Sequence, residues 1–229
     1  MYQDILTIAV VTVFAFFAIY WMWFQGEVDG SRLIAKNSMK QQKFNIILVL
    51  VAAFIVKAIL AVKNEGYSVD ITCFRSWSET VFTGGLSHFY EGDVTDYPPG
   101  YMLVLWLVAA IRHLFNIDNY STTGLFMIKL FPMLFDLAAA YLIYVMAKKR
   151  FSEGMSLMLS TLYALNPAVV IDSSVWGQVD GVLCCMVLLT CYLFMEEKRI
   201  LAYFAFCAGV LLKPQMVMFA PIIIYSIIE

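Results

Sequence analysis

Charge is scarce in this chain. Only 14% of its 229 residues are Asp, Glu, Lys or Arg, while 62% are hydrophobic; soluble domains carry about a quarter charged residues and about half apolar ones. A water-soluble globular fold is therefore excluded, and the chain reads as an integral membrane protein. Histidine is almost missing: His88 and His113 stand far apart with no flanking ligand pattern, which argues against a dedicated zinc site. The five cysteines, Cys73, Cys184, Cys185, Cys191 and Cys207, are odd in number and four lie in apolar runs, so they read as small buried hydrophobes rather than a disulfide framework. Walker loop, dinucleotide-binding glycine fingerprint and serine-nucleophile elbow are all absent, so the energy for any transfer reaction has to arrive with the substrate, as in an activated lipid donor. A net charge of −2 gives no reason to expect a nucleic-acid partner. No linker, low-complexity tract or internal repeat divides the chain.

What the chain has in abundance is apolar runs of helix-spanning length. Candidate spans are Ile5 to Phe24, Phe44 to Val62, Gly124 to Ala147, Gly154 to Ile171 and Gly181 to Met195, with a final pair, Ile200 to Leu212 and Pro214 to Ile228, divided by "KPQ". Such runs, rich in helix formers, predict an all-α polytopic transmembrane bundle of about seven spans rather than a barrel. The first run has neither a basic leader nor a small-residue cleavage site, and so reads as a retained helix. Residues 1–43 then form an extra helix plus a basic loop, ahead of a membrane module over 44–229.

Charge placement orients these spans. Nine of the 15 Lys and Arg residues fall in three loops: Arg32, Lys36, Lys40 and Lys43; Lys148, Lys149 and Arg150; Lys198 and Arg199. All three should face the cytoplasm. A crossing by the run Gly100 to Phe115 would place Lys148 to Arg150 outside, so that run is expected to be interfacial or re-entrant, within a large external loop over 63–123. Most acidic residues then gather on the external side.

Four features carry chemistry. In "NEGYSVDITCFRSWSETV", Asp70 sits just above the membrane at the start of an amphipathic segment with Ile71, Phe74, Trp77 and Val81 on one face; it is either a general base or that helix's N-cap. In "DYPPGY", two prolines hold Asp96 and Tyr97 on a stiff extended turn. In "NPAVVIDSSVWGQVDG", Asp172, Trp176, Gln178 and Asp180 crowd hydrogen-bonding groups around one aromatic ring, as sugar-binding surfaces do, although a solvated loop with a tryptophan interface anchor has the same composition. In "LLKPQMV", Lys213 and Gln215 stand at a proline break, where a lysine has to snorkel or meet an anion. Lys57 and Lys129 lie about 8–9 Å deep at about 1.5 Å per residue, and with Lys213 would surround a lipid phosphate unless they snorkel. Asp136, deeper still, needs a hydroxyl or lysine partner.

The order of "DYPPGY", "IKLFPMLFDLAAAYLIYVMAKKR", "LNPAVVIDSSVWGQVDG" and "LLKPQMVMFAPIIIY" after an early helix and Asp70 resembles the GT-C superfamily of integral-membrane glycosyltransferases. The likeness covers about Asn45 to Tyr225 and is nearest to bacterial polyprenyl-phosphate-sugar-dependent, mannosyltransferase-like enzymes. It implies an inverting transfer, on the external face of a bacterial cell membrane, from a polyprenyl-phosphate sugar to a hydroxyl of a glycan, lipid or protein. By position the resemblance makes Asp70 the catalytic aspartate. Asp96, Tyr97, Asp172, Trp176, Gln178 and Asp180 become substrate-binding residues, with Lys213, Gln215, Lys129 and Lys57 near the carrier phosphate. It names no certain cofactor. A divalent cation among Asp70, Asp172 and Asp180 stays open. Relatives usually continue with further helices, so a fragment, a truncated gene or half of a split enzyme completed by a membrane partner is expected. The competing readings are a non-catalytic lipid-phosphate-binding scaffold and a small transporter or flippase. One-sided polar chemistry and a single deep acid argue against the transporter.

Overall fold

A computed structural model describes residues 39–92 and 95–228. The expected first span, Ile5 to Phe24, lies outside them. Among the described residues the architecture is all-helical, without a strand: α1 (Met39–Lys63), α2 (Ser68–Gly92), α3 (Pro99–Leu114), α4 (Thr122–Ala147), α5 (Glu153–Ala164), α6 (Pro167–Val170), a π-helical turn (Ile171–Trp176), α7 (Asp180–Met195), α8 (Arg199–Leu212), a 3-10 turn (Pro214–Phe219) and α9 (Ala220–Ile228).

Ordinary local chemistry sets the boundaries. Ser121 and Ser152 cap α4 and α5, their hydroxyls accepting from the N–H groups of Gly124 at 3.0 Å and Met155 at 3.3 Å. Pro99 opens α3 and Pro167 opens α6, where the missing N–H costs nothing. Within α2 the helix breaks at Gly85, whose φ of +76° suits a residue without a Cβ.

The expectation of about seven spans is not supported. Two helices are long and apolar enough to cross a bilayer, Lys43–Lys63 and Thr122–Ala147; the bent pair Glu153–Ala164 and Pro167–Trp176, turned by 47°, makes a third if taken as one span. The apolar helices α3, α7 and α8 have only 16, 16 and 14 residues. At about 1.5 Å per residue they fall short of a hydrocarbon core about 30 Å thick.

The two long helices run antiparallel. Lys43, at the start of α1, and Lys148, just past the end of α4, line one groove, and Lys149 pairs with Glu196 of the next basic loop. At the opposite end the Lys129 ammonium donates to the Asn64 carbonyl at 2.8 Å. The chain between α1 and α4 therefore leaves and returns at the end away from the basic loops, and α2 with α3 makes no net crossing. The core joining them to the bundle includes Phe74, Val81, Phe89, Tyr101, Met102, Leu105, Ile128 and Met216, all nearly inaccessible. Gly100 lets α3 approach α8 closely, since a Cβ there would lie 2.4 Å from the Leu211 carbonyl oxygen.

Candidate active site

Asp70 is the third residue of α2, and its carboxylate is not spent on capping that helix. Its Oδ2 accepts from the Trp176 indole N–H at 2.8 Å and from the Gln178 amide at 3.0 Å. The backbone N–H of Val179 lies 3.0 Å from the other end of the Gln178 amide. Because that N–H can only donate, the atom facing it is Oε1, and the NH2 group is left to donate to Asp70. The Tyr97 hydroxyl completes the chain, donating to Gln178 Oε1 at 2.9 Å. Oδ1 of Asp70 has no hydrogen-bonding partner among the described residues.

The turn that brings Trp176 and Gln178 here is built for close approach. Gly177 ends the π-helical segment at φ +90°, and a Cβ on it would sit 2.8 Å from Ile71 Cδ1, one residue beyond Asp70. The Asp172 carbonyl accepts from the N–H groups of Gly177 and Gln178, both at 2.9 Å. On the other side the Tyr67 N–H donates to the Trp176 carbonyl at 2.9 Å, and the two rings meet at 5.0 Å. "GYSVD" and "SSVWGQ" thus form one unit across 106 residues of sequence, fixed by backbone as well as side chains.

These groups border a cleft of about 450 Å³, lined by Asp70, Cys73, Phe74, Trp77, Asp96, Tyr97, Gln178, Asp180, Lys213, Pro214 and Gln215. One wall is aromatic: Tyr97 lies 5.8 Å from Phe74, 5.7 Å from Trp77 and 5.0 Å from Tyr101. Burial, and secondarily the charges of Asp96, Asp70 and Asp172, hold the Tyr97 phenol well above its ordinary pKa, so it stays a donor. The cleft also carries a cation: Lys213, 6% exposed, donates to the half-exposed Asp180 at the start of α7. Burial lowers the Lys213 pKa, opposed by the carboxylates of Asp172, Asp70 and Asp96.

Of the residues singled out from sequence, Asp70, Asp96, Tyr97, Gln178, Asp180, Lys213 and Gln215 share this cleft. Trp176 does not line it: its N–H holds Asp70 from behind while its ring rests on Tyr67. Asp172 contributes through its carbonyl to the turn. Lys57 and Lys129 are elsewhere, fully buried, and the three lysines do not surround one point. Lys57 pairs with Asp136 at 2.8 Å, and Lys129 donates to the carbonyls of Asn64, Ser174 and Val175. No group of three or more His, Cys, Asp or Glu side chains among the described residues is arranged to hold a metal ion, so Asp70, Asp172 and Asp180 do not form one ligand set. Sequence reasoning missed Cys73, Phe74, Trp77 and Pro214 as lining residues; Cys73, Phe74 and Trp77 were reachable as the i+3, i+4 and i+7 neighbours of Asp70 on one helix face.

The model of the family described as dolichyl-phosphate-mannose-protein mannosyltransferase matches residues 96–229, which include every cleft residue from Asp96 onward but not Asp70. GPI mannosyltransferase 1 of Saccharomyces cerevisiae is 27% identical over 128 residues, 53% of this chain and 29% of that protein; the chain thus aligns with less than a third of its relative's length. No solved structure matches.

Proposed function

Since the chain belongs to the dolichyl-phosphate-mannose-protein mannosyltransferase family, within the GT-C superfamily that its sequence resembles, we propose that its cleft transfers mannose from a polyprenyl- or dolichyl-phosphate carrier to an acceptor hydroxyl. The observation that carries this is the single-sided clamp on Asp70. Trp176 and Gln178 occupy Oδ2, which leaves Oδ1 unengaged on a residue that lines the same cleft as Lys213.

In the proposed reaction the acceptor O–H donates to Asp70 Oδ1. As the acceptor oxygen bonds to the anomeric carbon, the bond from that carbon to the carrier phosphate breaks. The proton passes to Asp70, and the departing phosphate keeps the electron pair. Attack on the face of the anomeric carbon opposite the departing phosphate would give inversion, as the resemblance to the superfamily implies. Lys213, released in part from Asp180, neutralises the phosphate as its charge grows, and such stabilisation of developing charge is a large contributor to rate. The aromatic wall of Phe74, Trp77 and Tyr97 suits the apolar faces of a sugar ring. By the positive-inside rule, the end away from the basic loops is the external face, and the protein works as an integral membrane enzyme or as the catalytic module of a larger one.

The test is Asp70→Asn, assayed with dolichyl-phosphate mannose in liposomes. The variant should insert normally, bind the carrier, and lose about 10²- to 10⁴-fold in rate, the usual size of a general-base contribution. Unchanged turnover would remove Asp70 from catalysis. Carrier binding without transfer by the unsubstituted protein would favour the scaffold reading.

A further inference from the structure

The two lysines that do not reach the cleft have a different task. Each ammonium has three N–H donors, and each uses all three inside the bundle. Lys57, on α1, donates to Asp136 Oδ2 at 2.8 Å, the Val169 carbonyl at 3.1 Å and Ser173 Oγ at 3.1 Å. Lys129, on α4, donates to the carbonyls of Asn64 at 2.8 Å, Ser174 at 3.0 Å and Val175 at 3.2 Å. Neither has a donor left for a phosphate.

Their acceptors are not scattered. Four of the six lie between Val169 and Val175, the residues just before Trp176 and Gln178, and a fifth is the carbonyl at the exit of α1. Lys129 and Asp136 are seven residues apart on α4, two turns along one face and about 10 Å in rise. The segment is thus held at two heights against a continuous helix. The helix geometry here is π-helical and closes on Gly177, so the Ser174 and Val175 carbonyls lack the partners a continuing helix would give them; Lys129 satisfies both.

Stability alone is a poor account of the Lys57–Asp136 pair. A buried ion pair replaced by apolar residues of similar volume is often no less stable. An apolar side chain, however, has nothing to offer the Val169 carbonyl or the Ser173 hydroxyl. We infer that Lys57, Asp136 and Lys129 are positioning residues, anchoring the segment from Val169 to Val175 so that Trp176 and Gln178 meet Asp70 on one oxygen and leave the other open. This rests on the role proposed for Asp70, but its structural content can be read without any transfer.

The experiment uses the whole chain in liposomes, with Cys184, Cys185, Cys191 and Cys207 replaced by alanine, so that Cys73 in the cleft wall is the one remaining thiol. The double variant Lys57→Met with Asp136→Leu removes both charges and no volume. It should accumulate normally and keep the KM for dolichyl-phosphate mannose within about twofold. Its kcat should fall about 10- to 100-fold, the scale of a misplacement near 1 Å. Alkylation of Cys73 by a membrane-impermeant maleimide should change severalfold as the turn leaves Asp70. A double variant with the parent's kcat and alkylation rate overturns the inference. Should it fail to accumulate, Ser173→Ala decides: it deletes one anchor, and unchanged kcat and alkylation overturn the proposal equally. If the parent transfers no mannose, the proposed function fails, while the Cys73 rates still show whether these residues set the cleft.

Discussion

Gly181 follows Asp180 at the start of α7 and offers a sharp test of how tightly the buried pair is held. A Cβ at this position would lie 2.0 Å from Asp136 Oδ1 and 2.9 Å from its Cγ. A carbon–oxygen contact relaxes only at about 3.4 Å, so Gly181→Ala forces α7 and the carboxylate apart by about 1.4 Å, the difference between those two distances. Moving α7 costs about 1–3 kcal/mol as overpacking. If the carboxylate moves instead, Lys57 loses its 2.8 Å partner, and an unpaired buried charge costs about 3–5 kcal/mol. Either route takes a sizeable part of a total stability of about 5–15 kcal/mol. In detergent the alanine variant should unfold about 2–12 °C below the parent if α7 moves and about 6–20 °C below it if the carboxylate does, at about 2–4 °C per kcal/mol for a chain of this size. The cause can be isolated. In a Lys57→Met, Asp136→Ala background there is no carboxylate to strike, and the same alanine should cost clearly less than it does in the parent, with a coupling of up to about 3–5 kcal/mol where the carboxylate is what moves. A parental melting point, or an equal loss in both backgrounds, would refute the reasoning.

Two further outcomes follow from the cleft. Burial lowers the Lys213 pKa, so its ammonium is lost earlier on an alkaline titration than that of an exposed lysine, and affinity for the carrier phosphate should weaken with rising pH before an ordinary lysine would titrate. Lys213→Arg, which stays charged at any working pH, should flatten the dependence of donor KM on pH even if it lowers the rate, and an unshifted profile would take Lys213 away from the phosphate. Tyr97→Phe removes the donor to Gln178 Oε1 and should reduce kcat about threefold to tenfold, the worth of one neutral hydrogen bond, with donor KM within about twofold. Because the Tyr97 pKa is raised, ionisation of this phenol should not limit the parent's rate at mildly alkaline pH.

Much of the architecture was legible because its causes are compositional. Scarcity of charge dictates the bilayer, and the bilayer dictates helices. The number of crossings was not legible, because hydropathy counts apolar residues while a crossing depends on where the helix breaks. Pro167 and the π-helical turn bend one candidate span by 47°, and Lys213 with Pro214 ends α8 after 14 residues. From charge, the run Gly100 to Phe115 was expected not to cross, because a crossing would separate Lys148 to Arg150 from the other basic loops. In the structure the start of α1 and the end of α4 lie side by side, with Lys43 and Lys148 along one groove.

The site divides along the same line. Short motifs located Asp70, the proline turn, the "WGQVD" loop and the lysine at the proline break, because each carries a polar group that an apolar environment makes expensive. What they could not supply is direction. A lysine about 8–9 Å deep can face the cleft, the lipid or the bundle interior at the same depth, and residue count does not distinguish them. Asp136 held the discriminating information. A deep carboxylate demands a cation close by, and Lys57 at 2.8 Å is that cation, so it cannot also serve a phosphate. For Lys129 the same reasoning runs through the backbone. A helix interrupted inside a membrane domain leaves carbonyls that need donors, and "SSVWG", with a glycine closing a helical segment, marks where they arise. In a membrane protein of this kind, each buried lysine is better assigned after the deep acids and interrupted helices have claimed their donors; of the three buried lysines among the described residues, that leaves Lys213, the one that lines the cleft.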